Sequence, residues 1–119
     1  MVVTAHDGTD ELVTTGPTAI HDVRDGVVSA RTFDPAEVGV DVVAPGSIAG
    51  GDAAQNAVIA RRVFAGELGP YRDIVCLNAA AGLVVAGVVD DLGDGVARAS
   101  GAIDSGAVEA VLTRLLEVA

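Results

Sequence analysis

The chain has 119 residues and a formal net charge of −10, from 17 acidic residues against seven arginines and no lysine. A chain this acidic repels phosphate backbones and anionic lipids, so we expect it to bind neither nucleic acid nor membranes. The acidity itself has two open explanations, adaptation to high salt or a GC-rich genome that suppresses lysine codons. Half of the residues are apolar but only 3% are aromatic, which favours the aliphatic core of helix-on-sheet layers.

The cysteine content and the apolar runs bear on the location of the chain. Cys76 is the single cysteine, so no internal disulfide can form, and its apolar surroundings predict a buried side chain. The first residues lack the basic stretch followed by an apolar one that marks a signal peptide. The longest apolar run, 74–89, is shorter than the ~20 residues that a membrane span requires. We therefore expect a cytoplasmic protein.

The first half of the chain reads as strands. Residues 1–5 form a short β-type start, a polar loop follows, and 12–15 form a second extended piece. Segments 19–24 and 27–33 flank Asp25-Gly26, and such a dipeptide between alternating segments is the strongest short-range signal of a β-hairpin. A loop is expected over 35–51.

The second half reads as helices. Asp52 and Gln55 have the spacing of a capping box, and Gly66 is expected to end this first helix. Pro70 suits the first turn of the second helix, which is apolar nearly all round and should therefore be buried on most sides. We expect Gly87 to end it.

Two more helices follow from apolar spacing. The third has its apolar stripe at Leu92, Val96, Ala99 and Ile103. For the fourth, Ser105 is a plausible N-cap, and its stripe comprises Val108, Val111, Leu112, Leu115 and Leu116.

The predicted fold class is α/β, in one partial domain over 1–119: strands and hairpin over 1–34, a loop over 35–51 and three or four helices over 52–119. Strands followed by helices would ordinarily suggest α+β. However, the chain has few elements to cover the apolar residues 74–89. We therefore expect an incomplete sheet at the C-terminal end of a larger α/β domain and, if the missing strands are absent in solution, a sticky or dimeric protein.

The best candidate for chemistry is the pair Asp10 and Glu11, in a glycine-containing loop just after a strand. Magnesium prefers oxygen ligands and often binds through one or two carboxylates, waters and substrate phosphates. The alternative is an ordinary acidic loop, since such pairs are common in this chain. Asp90-Asp91 is another, which we interpret as a helix-start cap.

Other polar residues give weaker signals. His6 and His21 do not have the spacing of a metal pair. The segment Gly50-Gly51-Asp52 could hold an anion on helix-terminal amides or be a turn with an N-cap. Asn78 lies within an apolar helix and must find a hydrogen-bond partner if it is buried.

Five segments, taken together, resemble the anthranilate phosphoribosyltransferases in order and spacing over nearly the whole chain. They are Gly8-Thr9-Asp10-Glu11-Leu12, Thr32-Phe33-Asp34-Pro35, Gly50-Gly51-Asp52-Ala53-Ala54-Gln55-Asn56-Ala57, Gly69-Pro70-Tyr71-Arg72-Asp73 with Leu77-Asn78-Ala79-Ala80, and Ala102-Ile103-Asp104-Ser105-Gly106-Ala107. The chain is therefore similar to the C-terminal part of such an enzyme.

The resemblance implies a reaction and a cofactor. Family members transfer phosphoribose from phosphoribosyl pyrophosphate (PRPP) to the amine of anthranilate, a step of tryptophan biosynthesis. It also implies that Asp10 and Glu11 bind Mg²⁺, which neutralises the leaving pyrophosphate. Two departures lie nearby: Val3-Thr4-Ala5 stands where the family often has Val-His-Gly, and Thr9 stands where it has Leu.

The family's helical N-terminal domain and its glycine-rich pyrophosphate loop have no counterpart here. The resemblance thus implies a fragment that is inactive alone and needs an N-terminal partner chain or a homodimer. Two alternatives stay open: a non-catalytic remnant or binding module on the same scaffold, and a pyrimidine-nucleoside phosphorylase-like fragment.

Overall fold

A computed structural model describes residues 1–118. It has three strands followed by a short 3-10 helix and four α-helices. The elements are β1 (Val2–Ala5), β2 (Thr18–Arg24), β3 (Val27–Phe33), the 3-10 helix (Pro35–Val38), α1 (Ala53–Phe64), α2 (Pro70–Val85), α3 (Leu92–Asp104) and α4 (Ala107–Val118). The predicted α/β arrangement, with a hairpin first and helices after, is confirmed.

The sheet is antiparallel in the order β1-β2-β3. The hairpin turn has Asp25 at φ 50° and Gly26 at φ 78°. Two successive left-handed residues match the right-handed twist of the flanking strands, which is why this dipeptide predicted the hairpin correctly. Strand β1 pairs with β2 so that Val3 lies opposite Ile20.

Residues 12–15, which we expected to be extended in the manner of a strand, join no strand ladder. Leu12 and Val13 are buried, but their amides donate to side chains of Asn78 and Thr18 instead of to a neighbouring strand. The apolar character of this segment thus reflects burial without strand pairing. The loop expected over 35–51 also contains the 3-10 helix, which Asp34 and Glu37 begin with a capping box.

Local capping sets where the helices begin. The Gln55 amide donates to Asp52 Oδ1 at 2.8 Å, and the Asp52 amide donates to Gln55 Oε1 at 2.9 Å, which confirms the predicted box. Pro70 is the first residue of α2, as expected. The Asp91 side chain likewise accepts from the Asp94 amide at the start of α3.

The expectation that Ser105 caps α4 is wrong. Ser105 follows the last residue of α3, and its hydroxyl donates to the Ala102 carbonyl at 3.2 Å. Gly106, at φ 76°, then turns the chain into α4. Ser105 therefore closes one helix instead of opening the next, because the left-handed glycine separates them.

The main core lies between the sheet and α2. Its buried members are Leu12, Ile20, Phe33, Leu77, Ala80, Val84 and Leu92. Helix α3 crosses α2 closely at Gly95, where an added Cβ would lie 2.6 Å from the Ala80 Cβ. Arg72 of α2 also reaches Asp104 at the end of α3, with N–O distances of 2.7 and 2.9 Å.

Helix α2 is buried or half-buried on most sides, as its apolar sequence predicts, and is exposed along one stripe. Val75 is 42% exposed and Val85 is 62% exposed. Helix α4 buries no residue at all. Within residues 1–118 the sheet covers one side of α2 and α3 packs along another, where Cys76 and Ile103 are buried, so one apolar stripe stays accessible. In the same part of the chain, no helix combines the length and apolarity of a bilayer span.

Candidate functional site

The loop 6–17 joins β1 to β2 and carries Asp10 and Glu11. Its first turn is closed by two backbone bonds, Ala5 N–H to the Thr9 carbonyl at 2.8 Å and Gly8 N–H to the Ala5 carbonyl at 3.0 Å. A third bond, from His6 N–H to the Pro17 carbonyl at 3.0 Å, brings the two ends of the loop together. The carboxylate pair therefore follows directly on a hydrogen-bonded turn at the end of β1.

Asn78 of α2 anchors the backbone on the C-terminal side of the Asp10–Glu11 pair. Its Oδ1 accepts from the Leu12 amide at 3.0 Å, and its Nδ2 donates to the Leu12 carbonyl at 2.8 Å and to the Ile74 carbonyl at 3.0 Å. The Leu12 side chain is fully buried in the main core. The residue after Glu11 is thus fixed to α2 by both its backbone and its side chain.

This contact shows a role that the sequence did not reveal. The prediction that Asn78 needs a hydrogen-bond partner is confirmed. Its main partner, however, is the loop that carries the acidic pair, 66 positions away from it along the chain. Asn78 therefore fixes the backbone that directly follows Asp10 and Glu11. The only signal in the sequence was a polar residue in an apolar helix, which does not identify its partner.

The side chains of Asp10 and Glu11 are exposed and, among residues 1–118, form no salt bridge. Their charge is therefore available to a cation. The neighbouring Asp7 is hydrogen-bonded within the turn. Its carboxylate accepts from the Thr9 amide at 3.0 Å, and hydrogen bonding from Thr9 lowers the pKa of this carboxyl group. The turn thus uses one carboxylate for its own structure and leaves two unpaired.

Two adjacent carboxylates fit a magnesium ion that takes its remaining ligands from water and phosphate. The part of the chain that the structure describes has no group of three or more His, Cys, Asp or Glu side chains placed to hold a metal. Neither His6 nor His21 belongs to such a group among residues 1–118. The His6 ring instead packs on Gly16, where a Cβ would lie 2.7 Å from its Cε1.

Beyond the pair, two hydroxyl groups lack partners. Thr14 Oγ1 and Thr15 Oγ1 are buried and make no hydrogen bond to the described residues. Buried hydroxyls in native proteins nearly always bond to protein, water or a ligand. Both threonines lie within a few residues of Glu11 along the chain.

The segment Gly50-Gly51-Asp52 has two of its three amides occupied by side chains of α1. The Gly51 amide donates to Asn56 Oδ1 at 2.8 Å, and the Asp52 amide is the one that bonds Gln55. Side chains of α1 thus take the donors that an anion would need. Of the two interpretations, the structure favours the turn with an N-cap.

Comparison with known proteins identifies the family. A family model described as "Glycosyl transferase family, a/b domain" matches residues 1–109. The chain belongs to this family. Anthranilate phosphoribosyltransferases of Methylobacterium nodulans and Paramagnetospirillum magneticum are 52% and 51% identical to it, over 94% and 98% of the chain. Those matches span only 33% and 34% of the two relatives.

Solved structures agree with the family's sequences. The anthranilate phosphoribosyltransferase of Thermus thermophilus superposes with a TM-score of 0.84 at 37% identity, over 94% of this chain and 33% of that one. The Saccharomyces cerevisiae enzyme in complex with PRPP and Mg has a TM-score of 0.77 at 24% identity, which shows a shared fold alone. The resemblance to part of an anthranilate phosphoribosyltransferase is confirmed, and the chain spans about a third of these relatives.

Proposed function

We propose that the chain supplies the magnesium-binding portion of an anthranilate phosphoribosyltransferase and acts only together with the rest of such an enzyme. The observation that carries this proposal is the anchored loop, in which Asn78 and the buried Leu12 hold the backbone next to two unpaired carboxylates. Asp10 and Glu11 would hold the metal. When bound, Mg²⁺ neutralises charge on the departing pyrophosphate.

The rest of the reaction requires residues from elsewhere. The relatives are about three times as long as this chain, which has no lysine to contribute to phosphate binding. The chain's own part is to fix the two carboxylates at the end of β1 and to leave them open to solvent. PRPP and anthranilate are accordingly the proposed substrates of the assembled enzyme, and we expect no turnover from the chain alone.

The departure at Thr9 leaves the turn intact. Its carbonyl accepts from the Ala5 amide and its own amide donates to Asp7, so backbone atoms make both contacts. The intact turn supports a working transferase over a non-catalytic remnant that has lost its metal-binding loop. The reported relatives all bear the anthranilate name, which supports that substrate over a pyrimidine nucleoside. A cytoplasmic location stays a prediction.

Calorimetric titration of Mg²⁺ with PRPP into the purified chain tests the proposed site. We expect binding heat that the double variant Asp10→Ala, Glu11→Ala abolishes. The matched control is Asp90→Ala, Glu117→Ala, which removes the same charge from two other positions outside the loop and should bind like the wild type. Binding that survives loss of the loop pair would contradict the assignment, as would equal losses in both variants.

A second experiment tests the transferase itself. The chain is mixed with the part of the M. nodulans relative that lies outside the matched stretch, and anthranilate consumption is followed. We expect turnover in the mixture and none from either component. A mixture no more active than its separate parts would remove the support for a complementing transferase.

A further inference from the structure

Thr14 and Thr15 lie on the arm of the loop 6–17 that returns from Glu11 to β2. Thr14 is fully buried, and Thr15 is partly exposed although its hydroxyl oxygen is buried. Neither oxygen has a hydrogen-bond partner among residues 1–118. A buried hydroxyl without a partner has lost its bonds to water and gained none in return, so it destabilises the free chain.

Backbone bonds hold this arm in place without the two hydroxyls. The Thr14 carbonyl accepts from the Val43 amide at 2.9 Å, and the Pro17 carbonyl accepts from the His6 amide at 3.0 Å. Valine has the shape of threonine and would fill the same space with an apolar methyl group. The fold of the described residues therefore makes no use of the polarity of Thr14 and Thr15.

The neighbouring threonines, in contrast, are used within the chain. Thr9 hydrogen-bonds Asp7 through its side chain as well as its amide, and Thr18 Oγ1 accepts from the Val13 amide at 3.4 Å. Two threonine hydroxyls are thus left over, and both lie within four residues of Glu11 along the chain.

The charge of the loop indicates which ligand suits these hydroxyls. Loop 6–17 contains three carboxylates and no lysine or arginine. A phosphate group can approach it only when a cation offsets this charge, as magnesium does when it bridges carboxylates and phosphates. The phosphate oxygens then need uncharged donors, and a threonine hydroxyl is one.

We propose that the hydroxyl groups of Thr14 and Thr15 donate hydrogen bonds to phosphate oxygens of a magnesium-bound ligand, which they reach when this arm of the loop moves on binding. Thr15 is already partly exposed, so a rotation about its χ1 can turn the hydroxyl outward. The Thr14 hydroxyl requires the arm itself to shift. Binding then supplies the hydrogen bonds that the free chain lacks. The inference rests on the proposed function, because it adds two ligand contacts to the same site.

Urea unfolding of Thr14→Val and Thr15→Val tests the state of the free chain. Each variant removes an unpartnered hydroxyl and keeps the shape of the side chain, so each should unfold at a higher urea midpoint than the wild type. The matched control is Thr18→Val, which removes a partnered hydroxyl at an equally buried position and should unfold at a lower midpoint than the wild type. Lower midpoints for Thr14→Val and Thr15→Val would show that the hydroxyls are satisfied in the free chain, and would overturn the inference.

Calorimetric titration of Mg²⁺ with PRPP tests the contacts to the ligand. We expect each valine variant to bind about ten-fold more weakly, as for the loss of one hydrogen bond to a charged group. Thr14→Ser and Thr15→Ser keep the hydroxyl and should bind like the wild type. So should Thr113→Val on α4, whose hydroxyl donates to the Glu109 carbonyl at 3.0 Å.

Valine variants that bind as tightly as the wild type would overturn the inference, and so would serine variants that bind as weakly as the valine ones. If a valine variant does not fold, the alanine variant at the same position replaces it in the titration.

The outcome is separable from that of the proposed function. Full binding by the valine variants, together with its loss in Asp10→Ala, Glu11→Ala, would remove the role of the hydroxyls and leave the magnesium site in place. The reverse pattern would keep the hydroxyls as phosphate ligands and remove the metal assignment. A wild-type chain that does not bind would contradict the magnesium site, and the two hydroxyls would lose their proposed ligand with it.

Discussion

The two sides of α2 differ in how well their apolar side chains are buried. On the sheet side, Leu77 and Ala80 are fully buried against a core that includes Leu12 and Phe33. On the far side, Val75 remains exposed, and α4 beyond it buries nothing. The candidate metal loop is attached to the complete side. The chain therefore builds the support of its acidic pair by itself, while its helical layer leaves apolar side chains exposed.

The largest expected effect comes from a matched pair of leucines on the two sides. Leu77→Ala should lower the free energy of unfolding by about 2–5 kcal/mol, because it empties a fully buried position. Leu116→Ala, at a position 54% exposed, should change it by less than about 0.5 kcal/mol. Urea unfolding of both variants measures the difference. Equal losses would mean that the two sides are packed alike.

A pair of glycines in α3 sharpens the same contrast. Gly95→Ala should cost about 1–3 kcal/mol, because its new methyl group would overlap Ala80 of α2. Gly101→Ala, in the same helix, meets nothing within 4 Å and should stabilise the chain by up to about 1 kcal/mol through helix propensity. Thermal unfolding of the two variants should thus move in opposite directions. A stabilising Gly95→Ala would show that α2 and α3 are not in close contact.

The link between the core and the loop can be broken at Asn78. Asn78→Ala leaves the Leu12 amide and carbonyl unpaired and should cost about 1–3 kcal/mol. It should also weaken binding of Mg²⁺ with PRPP, which Gly95→Ala should not, although both variants lose similar stability. Calorimetry on the two variants separates positioning from general destabilisation. Equal weakening by both would assign Asn78 a purely structural role.

The smallest effect concerns the ion pair between α2 and α3. Hydrogen bonds from Arg72 hold the pKa of Asp104 below its usual range, so the folded state favours the charged form. Its contribution is therefore present above the unfolded pKa of about 4 and is lost as the pH falls through the lower folded value. Asp104 is 58% exposed, so solvent screens the pair.

The difference in stability between the wild type and Asp104→Asn should accordingly be greatest near neutral pH and shrink below a pH of about 4. Urea midpoints measured across that range test it. A difference that does not vary with pH would show that the charge of Asp104 contributes nothing.

Signals that act over a few residues predicted the structure well. The Asp25-Gly26 turn and the Asp52–Gln55 box are decided by backbone conformation and hydrogen bonds within a short stretch. Ser105 failed because the next residue, Gly106, adopts the left-handed conformation and moves the start of α4 past it.

Contacts between distant segments could not be predicted in the same way. The partner of Asn78 lies across the fold, and only the assembled core brings Leu12 to it. The one stripe of α2 that stays exposed is likewise set by what packs against the helix, which its own sequence does not specify. The acidic pair could be found from sequence, whereas its anchor could not.

Hydrogen exchange of the native chain tests the contrast between the two sides most directly. We expect the Leu12 amide, bonded to Asn78, to exchange as slowly as the amides of Leu77 and Ala80 in the centre of α2, and the α4 amides to exchange much faster. In Asn78→Ala the protection of Leu12 should disappear while that of α2 persists. A Leu12 amide that exchanges at the unprotected rate in the wild type would contradict a preformed loop, and an α4 as protected as α2 would contradict an open helical side.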